Sequence, residues 1–484
     1  ATWYLEDGDI TVIANENGQS VKQGSNSAVA DSDTVITQRD SEKATDNTIT
    51  VSTTDDTTAN ITIEDVNINS YGDAIDVGSS GANITLEGDN KLNSEYGSGL
   101  HVSDGDVTIT GSGSLEAGSK NDSNNNAAIG SHENEAMSGD ITIGGDAQVT
   151  AVSRDDGAGI GSGDMGEMSG DITIGDNAQV TAWSETGGAG IGSGRESNMS
   201  GNITIGGSAQ VTAGSNSETA GIGSGNNGVF TSTGRVVIRD SAKVTAIGEN
   251  EGAGIGTGED ELMAGMIIIQ DNAQVTAIAG DRAAAIGSDN LDEMTGTIII
   301  IGNARVTTGI LDDDVYFDYN TKEIKYTLDE NATGYIGDSK YSNHESDEGH
   351  YIIGPDVTIN GISGSDIEAL KDYINMRLSG ENHDGEPENL TKLDVRSENG
   401  EFTVTAEGEG AVEKILYGGS ENVPTAPGTY PVTCVVRIGE ETIEFQIDTY
   451  VVPEPAPQPE PMAHHTRIQL YRVADKQGSS IAYR

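Results

Sequence analysis

Gln148-Val149-Thr150-Ala151 returns as Gln179-Val180-Thr181-Ala182, Gln210-Val211-Thr212-Ala213, Lys243-Val244-Thr245-Ala246, Gln274-Val275-Thr276-Ala277 and Arg305-Val306-Thr307-Thr308. The Val of this element stands at 149, 180, 211, 244, 275 and 306, so the successive differences are 31, 31, 33, 31 and 31. A Gly-Ile-Gly-(Ser/Thr) element keeps the same phase, with Ile at 160, 191, 222 and 255, a variant at Ile286 and an earlier Ile129. So does an (Ile/Val)-x-(Ile/Val) element starting at Ile141, Ile172, Ile203, Val236, Ile267 and Ile298. Each element alternates apolar and polar residues, the period of a half-buried strand. One unit of three short strands cannot bury its apolar face alone, but stacked units can. The sequence therefore predicts an all-β fold, a parallel β-helix with three sheets.

The turns agree. Gly145-Asp146, Asp176-Asn177, Gly207-Ser208, Asp240-Ser241, Asp271-Asn272 and Gly302-Asn303 separate the first two strands. These residue types tolerate the positive φ of a tight corner. Upstream, Ile61-Thr62-Ile63, Ile84-Thr85-Leu86 and Val107-Thr108-Ile109 start at 61, 84 and 107, a shorter coil with a constant difference of 23. Together these give about nine coils over residues 61–310, a stack roughly 40 Å long at ~4.8 Å per coil. A column of Met137, Met168, Met199, Met263 and Met294 reads as inward-facing core filler.

The ends of such a stack need caps. Residues 1–60 are expected to form an N-terminal β cap, and 311–396 a small α+β connector. The connector holds a hairpin around Asn320-Thr321-Lys322 and a helix capped by Ser365 and Glu368 and ended by Gly380. Residues 397–453 alternate again and are expected to form a small immunoglobulin-like β-sandwich. Residues 454–462 are a Pro-rich linker, and 463–484 a tail with a strand near Ile468–Val473.

Composition excludes several classes. Lys and Arg number 25 against 79 Asp and Glu, a formal net charge of −54. That argues against nucleic-acid partners and anionic membranes. No apolar run is long enough for a spanning helix, so membrane insertion is not expected. One Cys excludes an internal disulfide framework. The chain opens at Ala1 without a basic or apolar leader, as expected of a mature secreted protein after signal removal.

The Gly-Ala-Gly-Ile-Gly-Ser-Gly stretch followed by Met-Ser-Gly-x-Ile-Thr-Ile resembles the right-handed β-helix ectodomains of adhesin-like and carbohydrate-binding surface proteins of Gram-positive, gut-type bacteria. Ala426-Pro427-Gly428-Thr429-Tyr430 resembles a strand start of bacterial immunoglobulin-like modules. The resemblance implies an extracellular or surface-displayed protein that binds glycan or cell-surface partners without catalysis. It covers 61–310 and about 397–453. No sorting motif with an apolar tail and basic end is found, so wall attachment is not expected.

Candidate sites are few. Trp183 follows Val180-Thr181-Ala182 and reads either as a sugar-stacking platform or as packing over a coil corner. Asp155 and Asp156 lie in the loop of the preceding coil as ligand-binding partners. Asp164, Glu167, Asp260 and Glu261 offer loop oxygens of the kind Ca²⁺ takes six to eight of. Solvated acidic loops are the plainer reading, and the nonapeptide calcium repeat is absent. The seven His form no repeated cluster, and His464-His465 reads as an accident of the tail. No catalytic residue stands out, and the Arg residues are scattered over the coils. A glycan-binding adhesin ranks first. A Ca²⁺-dependent, lyase-like polysaccharide enzyme and a structural subunit of a surface layer or fibre follow.

Overall fold

The computed structural model describes residues 1–54, 57–259, 262–289, 294–313, 315–338, 349–370, 373–374, 390–398, 401–454, 471–475 and 478–482. It is a three-sheet parallel β-helix. The Ile-Thr-Ile strands build a 14-stranded sheet, the Val-Thr-Ala strands an 11-stranded sheet, and the Ile-Gly strands a 13-stranded sheet. Every repeat pairs with its copy on the next coil: Ile141 with Ile172 and Ile172 with Ile203, Val149 with Val180 and Val180 with Val211, Ile160 with Ile191 and Ile191 with Ile222. All of these side chains point inward and are buried. The Met column is buried too and bridges rung to rung, with Phe230 in the place between Met199 and Met263.

Corner chemistry follows the sequence. Asp176, Asp240 and Asp271 adopt φ of 52°, 59° and 60°, and Gly145, Gly207 and Gly302 of 66°, 63° and 71°. The acids also cap their neighbours. Gly145 N donates to Asp176 Oδ2 and Gly207 N to Asp240 Oδ2, both at 2.8 Å. At the opposite corner the Ile-Gly strands demand glycine outright. Gly192 has φ of +142°, and a Cβ there would overlap the Gly223 carbonyl oxygen of the next coil.

The solenoid is longer than 61–310. Thr2–Tyr4 and Thr34–Thr37 extend the first sheet, and Ile10–Asn15 and Ile49–Thr53 the third. Residues 1–60 thus supply coils of their own. Beyond them, the antiparallel strands Gly18–Gln23 and Val29–Ala30 close the third sheet. Past residue 310, Ile336–Gly337, His350–Ile353 and Thr358–Ile359 add another coil. The expected hairpin is present, Tyr316–Asp318 against Glu323–Lys325. The described helix spans Ile367–Leu370, and Asp366, not Ser365, accepts the capping bond, from Ala369 N at 3.3 Å. Gly380, residues 455–470 and most of the expected 371–378 helical stretch lie outside the described residues.

Residues 397–453 differ from a self-contained sandwich. Leu390–Glu398 joins the first sheet and pairs with Glu401–Gly408. Gly410–Tyr417, Gly428–Ile438 and Glu441–Val452 form a three-stranded antiparallel sheet. Its Val432, Cys434, Val436 and Phe445 pack in one cluster with Ile268, Ile299, Ile301 and Ile352 of the first sheet of the solenoid. The second layer of this sandwich is the β-helix itself. Burial pushes the Cys434 thiol up to about 12.

Two outcomes follow from this packing. Gly192→Ala should lower stability by more than about 2 kcal/mol, through positive-φ strain and the backbone overlap. Gly175→Ala, whose added Cβ meets nothing within 4 Å, should stay within about 0.5 kcal/mol. Denaturant titration of both variants checks this, and equal midpoints would contradict the close coil spacing. Cys434 should resist a thiol reagent at pH 8 in the folded protein and react fully on unfolding. Native-state labelling at the rate of a free thiol would place the three-stranded sheet elsewhere.

Candidate functional site

Among the described residues, the sequence-based candidates do not assemble into one site. Trp183 is fully buried. It stands on the outer side of the second sheet in the column Val152, Trp183, Gly214, Ile247, Ile278. The hairpin lays Val315, Phe317 and Ile324 over that column. Gly214 leaves room for the indole, because a Cβ there would come within 3.1 Å of Trp183 Cζ3. Tyr319 Oη donates to Glu185 at 2.7 Å, and Lys322 Nζ to Glu116 at 2.6 Å, fastening the hairpin. Trp183 is therefore packing and offers no face to a sugar.

The acidic loops are held by an arginine. Arg195 Nε lies 3.2 Å from Asp156 Oδ2, and its Nη2 3.2 Å from Asp164 Oδ2. Asp164 is fully buried, and burial pushes its carboxyl up against the opposing pull of Arg195. Burial and the Asp156 charge likewise raise Asp155, which accepts from Thr186 Oγ1 at 3.1 Å. Glu167 is exposed and accepts from Ser200 Oγ at 2.6 Å. A guanidinium thus fills the place a Ca²⁺ ion would need at Asp156 and Asp164, and Glu167 does not join them. Asp260 and Glu261 lie outside the described residues.

A different group converges on the coils just before these. Among the described residues, Asp73, His101 and His132 are the one set of His, Cys, Asp or Glu whose ligand atoms all lie within 4.8 Å. Their placement follows from the ladder of the third sheet. Ile75–Gly78, Leu100–Val102 and Ile129–Gly130 are neighbouring strands, with His101 in register with Asp76 on one side and Gly130 on the other. His132 follows Gly130 by two residues. Gly97 leaves the passage that the Asp73 carboxylate occupies, since a Cβ there would overlap Oδ1.

The two imidazoles stack, with centroids 3.8 Å apart and planes 3° from parallel. His101 Nδ1 lies 2.8 Å from Asp76 Oδ1, and its Nε2 2.7 Å from Glu135 Oε2. His132 Nε2 lies 2.7 Å from Asp73 Oδ1, which also accepts from Ser98 N at 2.7 Å. Burial opposes a charge on His101. Hydrogen bonds to Asp76 and Glu135 and the charges of Asp73 and Glu135 outweigh it, raising the imidazole to about 9. Burial likewise works against the Asp73 carboxylate, but the bond and charge of His132 hold it below its ordinary value.

Beside this group stand two exposed aromatic rings. Tyr71 and Tyr96 are 73% and 52% exposed, with centroids 4.7 Å apart and planes 47° apart. They occupy one loop position on adjacent coils, where Tyr96 N donates to Tyr71 O at 3.0 Å. Each lies two residues before a member of the polar group, Asp73 and Ser98. The arrangement offers an apolar face flanked by hydrogen-bond donors and acceptors. Sequence reading passed over these residues because it followed what repeats. Their signal is a break in the repeat: Ile129-Gly130-Ser131-His132 carries His where Ile160-Gly161-Ser162-Gly163 carries Gly.

No family model matches this sequence, and neither curated proteins nor solved structures give a similar protein.

Trp183→Ala should destabilise the protein by about 3–5 kcal/mol, the usual cost of emptying a buried aromatic site. It should leave any sugar affinity of the folded fraction unchanged. Denaturant unfolding read beside a binding assay checks this, and selective loss of sugar binding with native stability would reverse the assignment.

Proposed function

We propose that this chain is a non-enzymatic, extracellular, adhesin-like binding protein whose rigid β-helix presents a glycan site at Tyr71 and Tyr96. The observation that supports this reading best is the exposed tyrosine pair, set on adjacent coils beside Asp73, His101 and His132. Sugar rings present apolar C–H faces to aromatic rings and hydroxyls to polar neighbours, and this site pairs the two. The net charge of −54 disfavours anionic polysaccharides and favours neutral glycans. Asp73, held deprotonated, suits accepting hydrogen bonds from hydroxyls. It is poorly suited to protonate a leaving group, which a glycosidase acid must do.

The test is retention on a panel of neutral and acidic polysaccharides and mucins, with release of sugar products read in parallel. Wild type should be retained on neutral glycans with no products. Tyr71→Ala and Tyr96→Ala should each weaken retention about tenfold, near 1.4 kcal/mol, with native circular dichroism. Retention unaffected by both substitutions would remove the site, and product release would overturn the non-enzymatic reading.

A further inference from the structure

The two imidazoles of the polar group are arranged front and back. On the front, His101 Nδ1 and His132 Nε2 both face Asp73, at 3.8 Å from Oδ2 and 2.7 Å from Oδ1. Asp76 Oδ1 adds a further oxygen at 2.8 Å from His101 Nδ1. On the back, His101 Nε2 and His132 Nδ1 share one oxygen, Glu135 Oε2, at 2.7 and 3.7 Å. Histidines that ligate metals characteristically donate their second N–H to a carboxylate, which fixes the tautomer and turns the other lone pair toward the ion. Glu135 holds that place behind His101 and lies behind His132 as well.

From this geometry we infer that Asp73, His101 and His132, with Asp76 within reach, bind a divalent transition-metal ion of the Zn²⁺ class, and that Glu135 positions the imidazoles. Two nitrogens and carboxylate oxygen suit Zn²⁺, whereas Ca²⁺ takes oxygen alone. Ligands about 2.0–2.1 Å from a tetrahedral ion stand about 3.3 Å from one another. The 2.7 and 3.8 Å separations on the front side bracket that value. Coordination requires the stacked rings to tilt out of their 3° alignment, a side-chain motion open to the part-exposed His132. The backbone frame is already in place. Asp73 is fixed by Ser98 N, and His101 is locked in the ladder between Asp76 and Gly130. The ion replaces the protons that now join these groups. The surrounding acidity raises the local cation concentration.

The experiment uses the full chain stripped with chelator and titrated with Zn²⁺ alone by calorimetry. One ion per chain is expected at this site. His132→Ala and Asp73→Asn should each weaken binding at least tenfold, and Glu135→Gln about tenfold through lost orientation. The double variant His464→Ala/His465→Ala removes the one pair of His adjacent in the sequence and should retain the ion. No binding by wild type, or binding unchanged in both His132→Ala and Asp73→Asn, overturns the inference. Should either variant lose its native circular dichroism, anomalous scattering at the zinc edge from soaked wild-type crystals decides. A peak between Asp73 and the two imidazoles supports the site, and a peak elsewhere or none refutes it. No glycan is present in these measurements, so their failure and failure of the sugar-binding reading are separate results.

Discussion

Everything in this protein depends on one coil lying on the next in register at the spacing of a parallel ladder. Each residue then has its counterpart directly above and below. Identical side chains stack in columns, and a change of length can occur only where a coil leaves the ladder. The one longer coil of the repeat shows this. Its two additional residues fall between Phe230, which keeps the Met position, and Val236, which keeps the strand position. They are absorbed in the turn at Ser232 and Thr233, both exposed. The same spacing brings backbone so close to backbone at Gly161, Gly192 and Gly223 that no Cβ fits. The glycines of this face are a packing requirement, and the face is buried rather than open to a partner.

What covers the solenoid is decided by what points outward. The middle residue of the first-sheet strand is Thr142, Thr173 and Thr204 in three successive coils, then Val237, Ile268, Ile299 and Ile352. The change from Thr to aliphatic residues marks where the three-stranded sheet docks. On the second sheet, Val152, Trp183, Ile247 and Ile278 mark the place of the hairpin. Both stripes are visible in the sequence as strands apolar on two faces, such as Ile267-Ile268-Ile269 and Ile298-Ile299-Ile300-Ile301. A strand apolar on both faces must be covered on both.

The fold was legible because a nearly constant period repeats one message several times. Its boundaries were less so. The first and last coils are too divergent to show the motif, yet they pair in the same ladders. The sites were legible least. Trp183 is hidden by a hairpin whose contact reaches across 134 residues, from Tyr319 to Glu185. The Asp164 carboxylate is neutralised by Arg195 one coil away. Neither contact has a local sequence signal. His101 and His132 looked isolated because a whole coil of chain separates them, yet in a solenoid that separation places them on neighbouring rungs.

That last point also explains why acids gather around these histidines. A ladder stacks like upon like, as it sets Tyr96 beside Tyr71 with centroids 4.7 Å apart, whereas His132, two residues past the Gly130 that pairs with His101, lays its ring over the His101 ring at 3.8 Å. The tilted tyrosine rings gain from the contact. Stacked imidazoles repel once charged, and at about 4 Å that repulsion is several kcal/mol at the effective dielectric of a protein surface. The pair therefore needs negative charge in the plane of the rings. Asp73 and Asp76 supply it on one side of the rings and Glu135 on the other. Such a frame is built to hold positive charge at ring nitrogens, and it stabilises that charge whether a proton or a metal ion carries it.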